Sequence, residues 1–255
     1  MLLSCTTEKP AEQQAPAQRP QPANVGAVRH GYRVLQTLPH DPGAFTQGLV
    51  VHDGHFLEST GQYGFSSLRR VAIRNGVVKQ KETVDARYFG EGIAVLQGRV
   101  YMLTWLNQKG FVFDAKTLKQ VDEFAYSGEG WGLTTDGSSL YMSNGTSTIT
   151  VHDPVGFRRV RSIDVTLDGS PLGNLNELEW IRGEIWANVW QTEKIVCIDP
   201  SSGRVTSVID MEGILPQADR TPSTDVMNGI AWDSVGNAIY VTGKHWPSVY
   251  KIDVL

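Results

Sequence analysis

The sequence predicts an all-β fold, a five-bladed β-propeller closed by pairing its N-terminal strand with the last blade, and three observations carry that reading. From residue 32 onward, short runs rich in Val, Ile, Tyr, Phe and Trp are broken by Gly, Asp-Gly, Asn-Gly and Ser-Gly turns, and long stretches of helical period are missing. One unit recurs five times at a spacing of about 40–50 residues, the period of propeller blades. The last unit ends after its third strand at Leu255, and the extra run Tyr32–Leu38 supplies the missing fourth, leaving no open edge.

The units begin at Gln47-Gly48-Leu49, Glu91-Gly92-Ile93, Trp131-Gly132-Leu133, Asn176-Glu177-Leu178 and Asn228-Gly229-Ile230, with successive starts 44, 40, 45 and 52 residues apart. Each continues through an apolar strand, a turn, a second apolar strand and a third that usually ends in Asp. The third strands read Leu68–Ile73, Gly110–Asp114, Ile149–Asp153, Ile195–Asp199 and Val249–Asp253. A β-sandwich would also give many short strands, but not this repeat. Helix signals are confined to residues 211–218.

The 255 residues are 40% hydrophobic and 20% charged, with a formal net charge of −4. No run of Lys or Arg forms a basic stripe, which argues against nucleic-acid binding, since neutralising phosphates takes clustered cations. No stretch approaches the ~20 apolar residues of a membrane-spanning helix. Of the two cysteines, Cys197 alternates with apolar residues and reads as a small buried hydrophobe rather than half of a disulfide. Residues 6–27 are rich in Pro, Ala, Gln and Glu, too polar to offset the entropy of ordering, so residues 1–31 read as a disordered tether and 32–255 as a single five-bladed propeller domain. Leu2-Leu3-Ser4-Cys5 resembles the end of a bacterial lipoprotein signal whose leader is lost, with Cys5 as the lipid-anchor position; this expectation places the protein in the bacterial cell envelope, periplasmic or secreted.

Aligning the repeats also gathers side chains. In a blade the first strand lies innermost and the second runs antiparallel beside it, so first-strand starts and second-strand ends meet at one mouth of the central channel. The starts supply Gln47, Glu91, Trp131, Asn176 and Asn228, and the ends supply Gly61, Trp105, Gly145, Trp190 and Lys244. Positions that only had to pack would be small or aliphatic. Three indoles beside a carboxylate, a lysine and several amides make an apolar pocket with a few inward-aimed polar groups, the usual form of a small-ligand site.

The ordered segments Phe45-Thr46-Gln47-Gly48-Leu49, Phe89-Gly90-Glu91-Gly92, Leu103-Thr104-Trp105, Gly130-Trp131-Gly132-Leu133, Leu175-Asn176-Glu177-Leu178-Glu179, Trp186-Ala187-Asn188-Val189-Trp190, Met227-Asn228-Gly229-Ile230 and Thr242-Gly243-Lys244-His245-Trp246-Pro247 resemble the plant and bacterial type of glutaminyl-peptide cyclotransferase. That resemblance implies a five-bladed propeller that converts the N-terminal glutamine of peptides or proteins to pyroglutamate with release of ammonia, with no cofactor required for catalysis. A structural calcium or other ion in the channel is compatible with it. It implies Glu91 as the general acid/base, with Gln47, Asn176 and Lys244 beside it in catalysis. Phe45, Trp105, Trp131, Trp190 and Asn228 are expected to bind substrate, and no residue to bind a catalytic metal.

The chemistry asks for such a set. The α-amine attacks the carboxamide of the same residue, so the pocket must hold the side chain folded back, which indole faces do while excluding water. One carboxylate within reach of both nitrogens can carry the proton from the attacking amine to the leaving ammonia, and Lys244, Asn176 or Gln47 can hold the developing oxyanion. Two rival readings are a metal-dependent lactonase or esterase-type propeller, in which Glu91, Asn176, Asn228 and Asp225 would ring a cation, and a non-catalytic binding propeller. Lys244 and three indoles are poor company for a hard cation. No G-x-S-x-G or Cys–His arrangement offers a nucleophile, and the histidines form no metal-spaced pair. A closed propeller has no edge that requires a partner, so a monomer is expected.

Overall fold

The computed structural model describes residues 26–255, and it is a ring of five blades. Blade 1 holds Thr46–His52, His55–Thr60, Ser67–Ala72 and Val78–Thr83, each strand antiparallel to the next. Blade 2 runs from Gly90–Leu96 to Gln120–Ala125 and blade 3 from Leu133–Thr135 to Arg158–Asp164. Blade 4 runs from Leu175–Ile181 to Val205–Asp210. Blade 5 has Met227–Asp233, Ala238–Gly243 and Ser248–Val254, and its outer strand is Tyr32–Pro39, antiparallel to Ser248–Val254, the closure expected from the sequence.

The start of the domain differs from expectation. Val28–His30, assigned from composition to the tether, forms a fifth strand on blade 4, parallel to Val205–Asp210. Its side chains are mostly exposed; what holds it is the ladder itself, with Ala27 N–H and the Arg29 guanidinium bonded to Asp168. Composition reports burial, and an edge strand held through its backbone buries little. The segment therefore links the outer edge of blade 4 to the outer strand of blade 5, Tyr32–Pro39, which follows it in the chain. Cys5 and the lipoprotein-like start lie outside the described residues. The helix signal at 211–218 resolves to a single 3-10 turn, Gln217–Asp219.

Five apolar clusters lie one between each pair of neighbouring blades. Alternate residues of one strand serve the two sides: Phe56 packs toward blade 5 and Leu57 toward blade 2, Tyr240 toward blade 1 and Val241 toward blade 4. Strands buried on both faces need apolar residues in succession, which is why the core strands show runs rather than strict alternation. Cys197 is one of these buried residues, a free thiol between blades 4 and 5. The Asp that ends several third strands caps a turn: Asp114 accepts from Thr117 N–H, Asp153 from Val155 N–H and Asp199 from Ser201 N–H.

The inner strands begin irregularly, and that irregularity positions the site. In four blades the pairing register slips at the repeat start, at Gln47, at Glu91-Gly92, at Asn176-Glu177 and at Asn228-Gly229. A β-bulge frees a residue from its ladder and re-aims its side chain. The freed backbone groups bond across to the next blade instead. Ser59 hydroxyl donates to Glu91 O at 2.7 Å, Gly92 N–H to Trp131 O at 2.7 Å and Ser143 hydroxyl to Asn176 O at 2.6 Å. Gly132 shows how close the blades come: a Cβ there would stand 2.0 Å from Asn176 O. Blade 4 has Glu177 where the others have glycine, and its buried carboxylate accepts Leu49 N–H of blade 1 and Ile230 N–H of blade 5.

Candidate active site

The bulged residues and the second-strand ends meet at one mouth of the channel, around a cavity of about 330 Å³. Eight of the nine residues singled out from the sequence line it: Phe45, Gln47, Glu91, Trp105, Trp131, Asn176, Trp190 and Lys244. The four polar ones are 3–5% exposed, whereas the aromatics are half-buried, so the polar groups form the floor and the rings the walls.

Glu91 stands on the floor and accepts Gln47 Nε2–H at 2.9 Å. Burial raises its pKa well above the ordinary carboxylate range; the Lys244 charge opposes this and Glu129 adds to it. Lys244 is lowered by burial, against the pull of Glu91 and Asp225. Each group stabilises the other's charge by less than burial opposes it, so both sit nearer neutrality than they would in water. The Lys244 ammonium lies 4.8 Å from the centre of the Phe45 ring, a cation–π distance. Neither Lys244 nor Asn176 has a side-chain hydrogen-bond partner among the described residues, so both present free donors to the cavity.

Asn228 is not at the cavity. Its Nδ2 donates to Thr46 O at 3.0 Å and to Gln47 Oε1 at 3.3 Å, and the residue is fully buried behind Gln47. Asn228, expected from the sequence to bind substrate, is absent from the cavity lining; it touches Gln47, which in turn bonds Glu91. The repeat alignment placed it properly along the strand, but its Nδ2 is taken up in joining blade 5 to blade 1, and its Oδ1 is buried without a hydrogen-bond partner among the described residues.

Two glycines in the ring are filled by aromatic rings. A Cβ on Gly61 would meet the Phe89 ring at 2.3 Å, and one on Gly145 would meet the Trp131 indole at 2.7 Å. Phe89 lines the cavity and packs edge-on against Phe45 and Trp105, at 5.9 and 5.7 Å between centroids. Trp131 and Trp190 make a second edge-to-face pair at 5.5 Å. Glu129 stands behind the indoles: its Oε2 accepts Trp105 Nε1–H at 2.7 Å and Trp131 Nε1–H at 2.9 Å, fixing both ring planes with one carboxylate.

Sequence reasoning missed Phe89, Glu129, Val226, Gln191 and the cavity position of Asp225. A signal for three of them was present. The residues two before each repeat start are Phe45, Phe89, Glu129, Asn174 and Val226, and in extended chain positions two apart lie on the same side. The alignment rule shifted by two therefore finds the second tier of the site.

Comparison with known proteins fits this arrangement. The family model described as "Glutamine cyclotransferase" matches residues 2–254. The chain belongs to the glutamine cyclotransferase family. A glutaminyl-peptide cyclotransferase from Arabidopsis thaliana is 43% identical over 225 residues, covering 86% of this chain and 70% of the relative. The crystal structure of Myxococcus xanthus glutaminyl cyclase superposes with a TM-score of 0.83 at 36% identity, covering 89% of this chain and 98% of that one. In this member of the family the closed ring of five blades and the floor of Gln47, Glu91, Asn176 and Lys244 belong to one construction, because the bulges that join the blades also aim three of those four side chains.

Proposed function

We propose that this enzyme is a glutaminyl-peptide cyclotransferase with Glu91 as its proton carrier, acting on peptides or proteins that begin with glutamine. The single observation that carries the reading is a buried carboxylate with raised proton affinity, at the floor of an aromatic cavity of about 330 Å³. Burial moves Glu91 toward the range of the α-amine with which it must exchange a proton, near 7.7–8.0 for an ordinary N-terminus.

The aromatic walls hold the glutamine side chain folded toward its own amine. The amine nitrogen attacks the side-chain carbonyl carbon, a C–N bond forms, and the carbonyl oxygen gains the negative charge. Glu91 takes the proton released by the amine and gives it to the leaving nitrogen. The old C–N bond breaks, ammonia departs, and a five-membered lactam remains with Glu91 restored. The hydrogen bonds narrow the choice of oxyanion donor. Gln47 is engaged with Glu91 and Asn228, which leaves Lys244 and Asn176 to meet the developing charge.

Every proton and electron pair in this scheme is placed by protein side chains, so we propose that turnover needs no metal or other cofactor. Among the described residues, no group of three or more His, Cys, Asp or Glu is arranged to hold a metal ion. Of the lactonase-like set, Glu91, Asn176 and Asp225 line the cavity and Asn228 does not. The deciding experiment measures ammonia and the loss of the free N-terminus from a Gln-initiated peptide, with and without excess chelator. Turnover unchanged by chelator is expected. No ammonia release would refute the activity, and loss of turnover in chelator would refute the metal-independent mechanism.

We extend the proposal to an envelope location and a monomeric state. No helix among the described residues is long and apolar enough to cross a membrane; the attachment proposed is lipid at Cys5. Intact mass of the protein recovered from a bacterial envelope fraction tests this, since lipidation adds the mass of the acyl groups.

A further inference from the structure

The cavity does not end at the pocket that holds the first residue. A second cavity of similar size, about 330 Å³, shares Gln191, Asp225 and Val226 with it and continues outward over Glu193, Arg220 and Thr224. Its outer wall is the segment between Asp210 and Met227, the longest connection between blades and the source of the 52-residue repeat spacing. Met211, Ile214 and Leu215 anchor the base of that segment in the core between blades 4 and 5. The polar half is left exposed at the mouth.

Charge in this groove is unevenly compensated. Glu193 is paired with Arg220 at 2.6 Å and also accepts Gly213 N–H. Among the described residues Asp225 has no cationic partner within ion-pair distance, yet its backbone is held: its N–H donates to Lys244 O, its carbonyl accepts Trp246 Nε1–H, and its Oδ1 accepts Val226 N–H. One carboxylate is therefore held by its backbone and exposed at the junction of the two cavities, with Lys244 within reach of its field but not in contact with it. A peptide whose first residue fills the inner pocket must leave it with its second residue. Two residues of extended chain reach roughly 7 Å, enough to cross a shared rim into a neighbouring cavity.

We propose that the chain following the substrate's N-terminal glutamine leaves across Gln191, Asp225 and Val226 into this second cavity, where Asp225 selects peptides with a cationic side chain at the second or third position. This inference rests on the cyclotransferase reading of the inner pocket and adds its substrate class.

The test compares kcat/KM for three amidated tetrapeptides, Gln-Lys-Lys-Ala, Gln-Ala-Ala-Ala and Gln-Glu-Glu-Ala, by ammonia release. At low salt the Lys peptide is expected to exceed the Glu peptide by about five-fold, the scale of an exposed charge pair. The ratio should approach one at about 1 M salt, where the screening length falls to a few ångströms. D225N should bring the ratio close to one at low salt, and R220Q should raise it by leaving Glu193 uncompensated. A merely structural role for Asp225 would change all three peptides together. A wild-type ratio of one at low salt, a ratio unmoved by D225N, or one lowered by R220Q would each overturn the groove while leaving the inner-pocket reading intact. Failure to release ammonia even from Gln-Ala-Ala-Ala would instead overturn the activity and the groove with it.

Discussion

Replacing Glu91 by glutamine separates chemistry from architecture. Glutamine has the same shape, and its carbonyl oxygen can still accept the Gln47 Nε2–H that now meets Glu91 at 2.9 Å. The bulge at Glu91-Gly92 is built by backbone bonds to Ser59 and Trp131 and does not involve the carboxylate. Stability should therefore not fall, and linkage gives the sign of any change. Burial raises the Glu91 pKa above its unfolded value near 4.5, so the folded state binds more protons than the unfolded state between that pH and the folded pKa. Stability is lost across that window as pH rises, and E91Q escapes the loss. The variant should melt with wild type at pH 4 and at or above it at pH 8. Activity should move the other way. An amide cannot carry a proton between two nitrogens, and removing such a group costs about 10²–10⁴ in rate, or roughly 3–5 kcal/mol of barrier.

The assay is ammonia release from a Gln-initiated peptide under single-turnover conditions, with thermal unfolding of the same samples. The wild-type pH profile of kcat/KM supplies a second check. Its acid limb should lie above the ordinary carboxylate range, because the proposed proton carrier, Glu91, has raised proton affinity. E91Q within about ten-fold of wild type, with unfolding unchanged, would refute the proton-carrier role. A large drop in melting temperature would refute the claim that the carboxylate is dispensable for the fold.

Glu129→Ala removes the shared acceptor of two indole N–H groups and a charge that raises the Glu91 pKa; KM should rise on the order of ten-fold, since bonds to a charged acceptor are worth about 1.5–3 kcal/mol, and the acid limb of kcat/KM should shift to lower pH. An unmoved acid limb would reduce Glu129 to a packing residue. Arg69→Ala strands Glu58, which is 1% exposed and otherwise bonded to His40 and Thr46. Breaking a buried pair costs about 3–5 kcal/mol, so the melting temperature should fall by roughly 6–20 °C; a fall under about 2 °C would contradict it. In wild type, burial would raise the Glu58 pKa, but His40 and Arg69 hold it at about 2, so this network should lose its contribution as pH falls from about 4.5 toward 2. Glu179 is opposite in sign, pushed by burial to about 8, so Glu179→Gln should gain stability over wild type between pH 5 and 8 and none at pH 4, read by denaturant titration at each pH.

Much of this was legible because a propeller repeats its geometry with its sequence. The five starts share one backbone environment, so aligning Gln47, Glu91, Trp131 and Asn176 in sequence aligned them in space. Cys197 read properly for the same reason, as one apolar position in a strand buried on both faces. What escaped has physical causes. Val28–His30 is held by a ladder and not by burial, and composition reports only burial. Glu129 acts through two indoles 24 and 2 residues away in sequence, and an acid in a Gly-rich turn looks like any solvated turn residue. Glu177 stands where the other repeats have glycine, so the pattern marked it as an exception without giving its use.

Asn228 explains why five equivalent positions yield only four pocket side chains. Each pair of blades needs a link where the inner strands bulge, because bulging leaves N–H and C=O groups without ladder partners. Ser59 and Ser143 hydroxyls meet that need at two junctions, and Gly92 N–H meets it at a third. Between blades 4 and 5, Asn188 Oδ1 accepts Gly229 N–H while Glu177 accepts Ile230 N–H. The junction of blades 5 and 1 differs from the rest, since it closes the ring between elements about 180 residues apart in sequence, and there the amide of Asn228 itself meets Thr46 O. That amide serves closure first and reaches the chemistry only through Gln47. With Glu91 as the proposed proton carrier, a change at Asn228 should therefore act on catalysis through Gln47 and the position of Glu91.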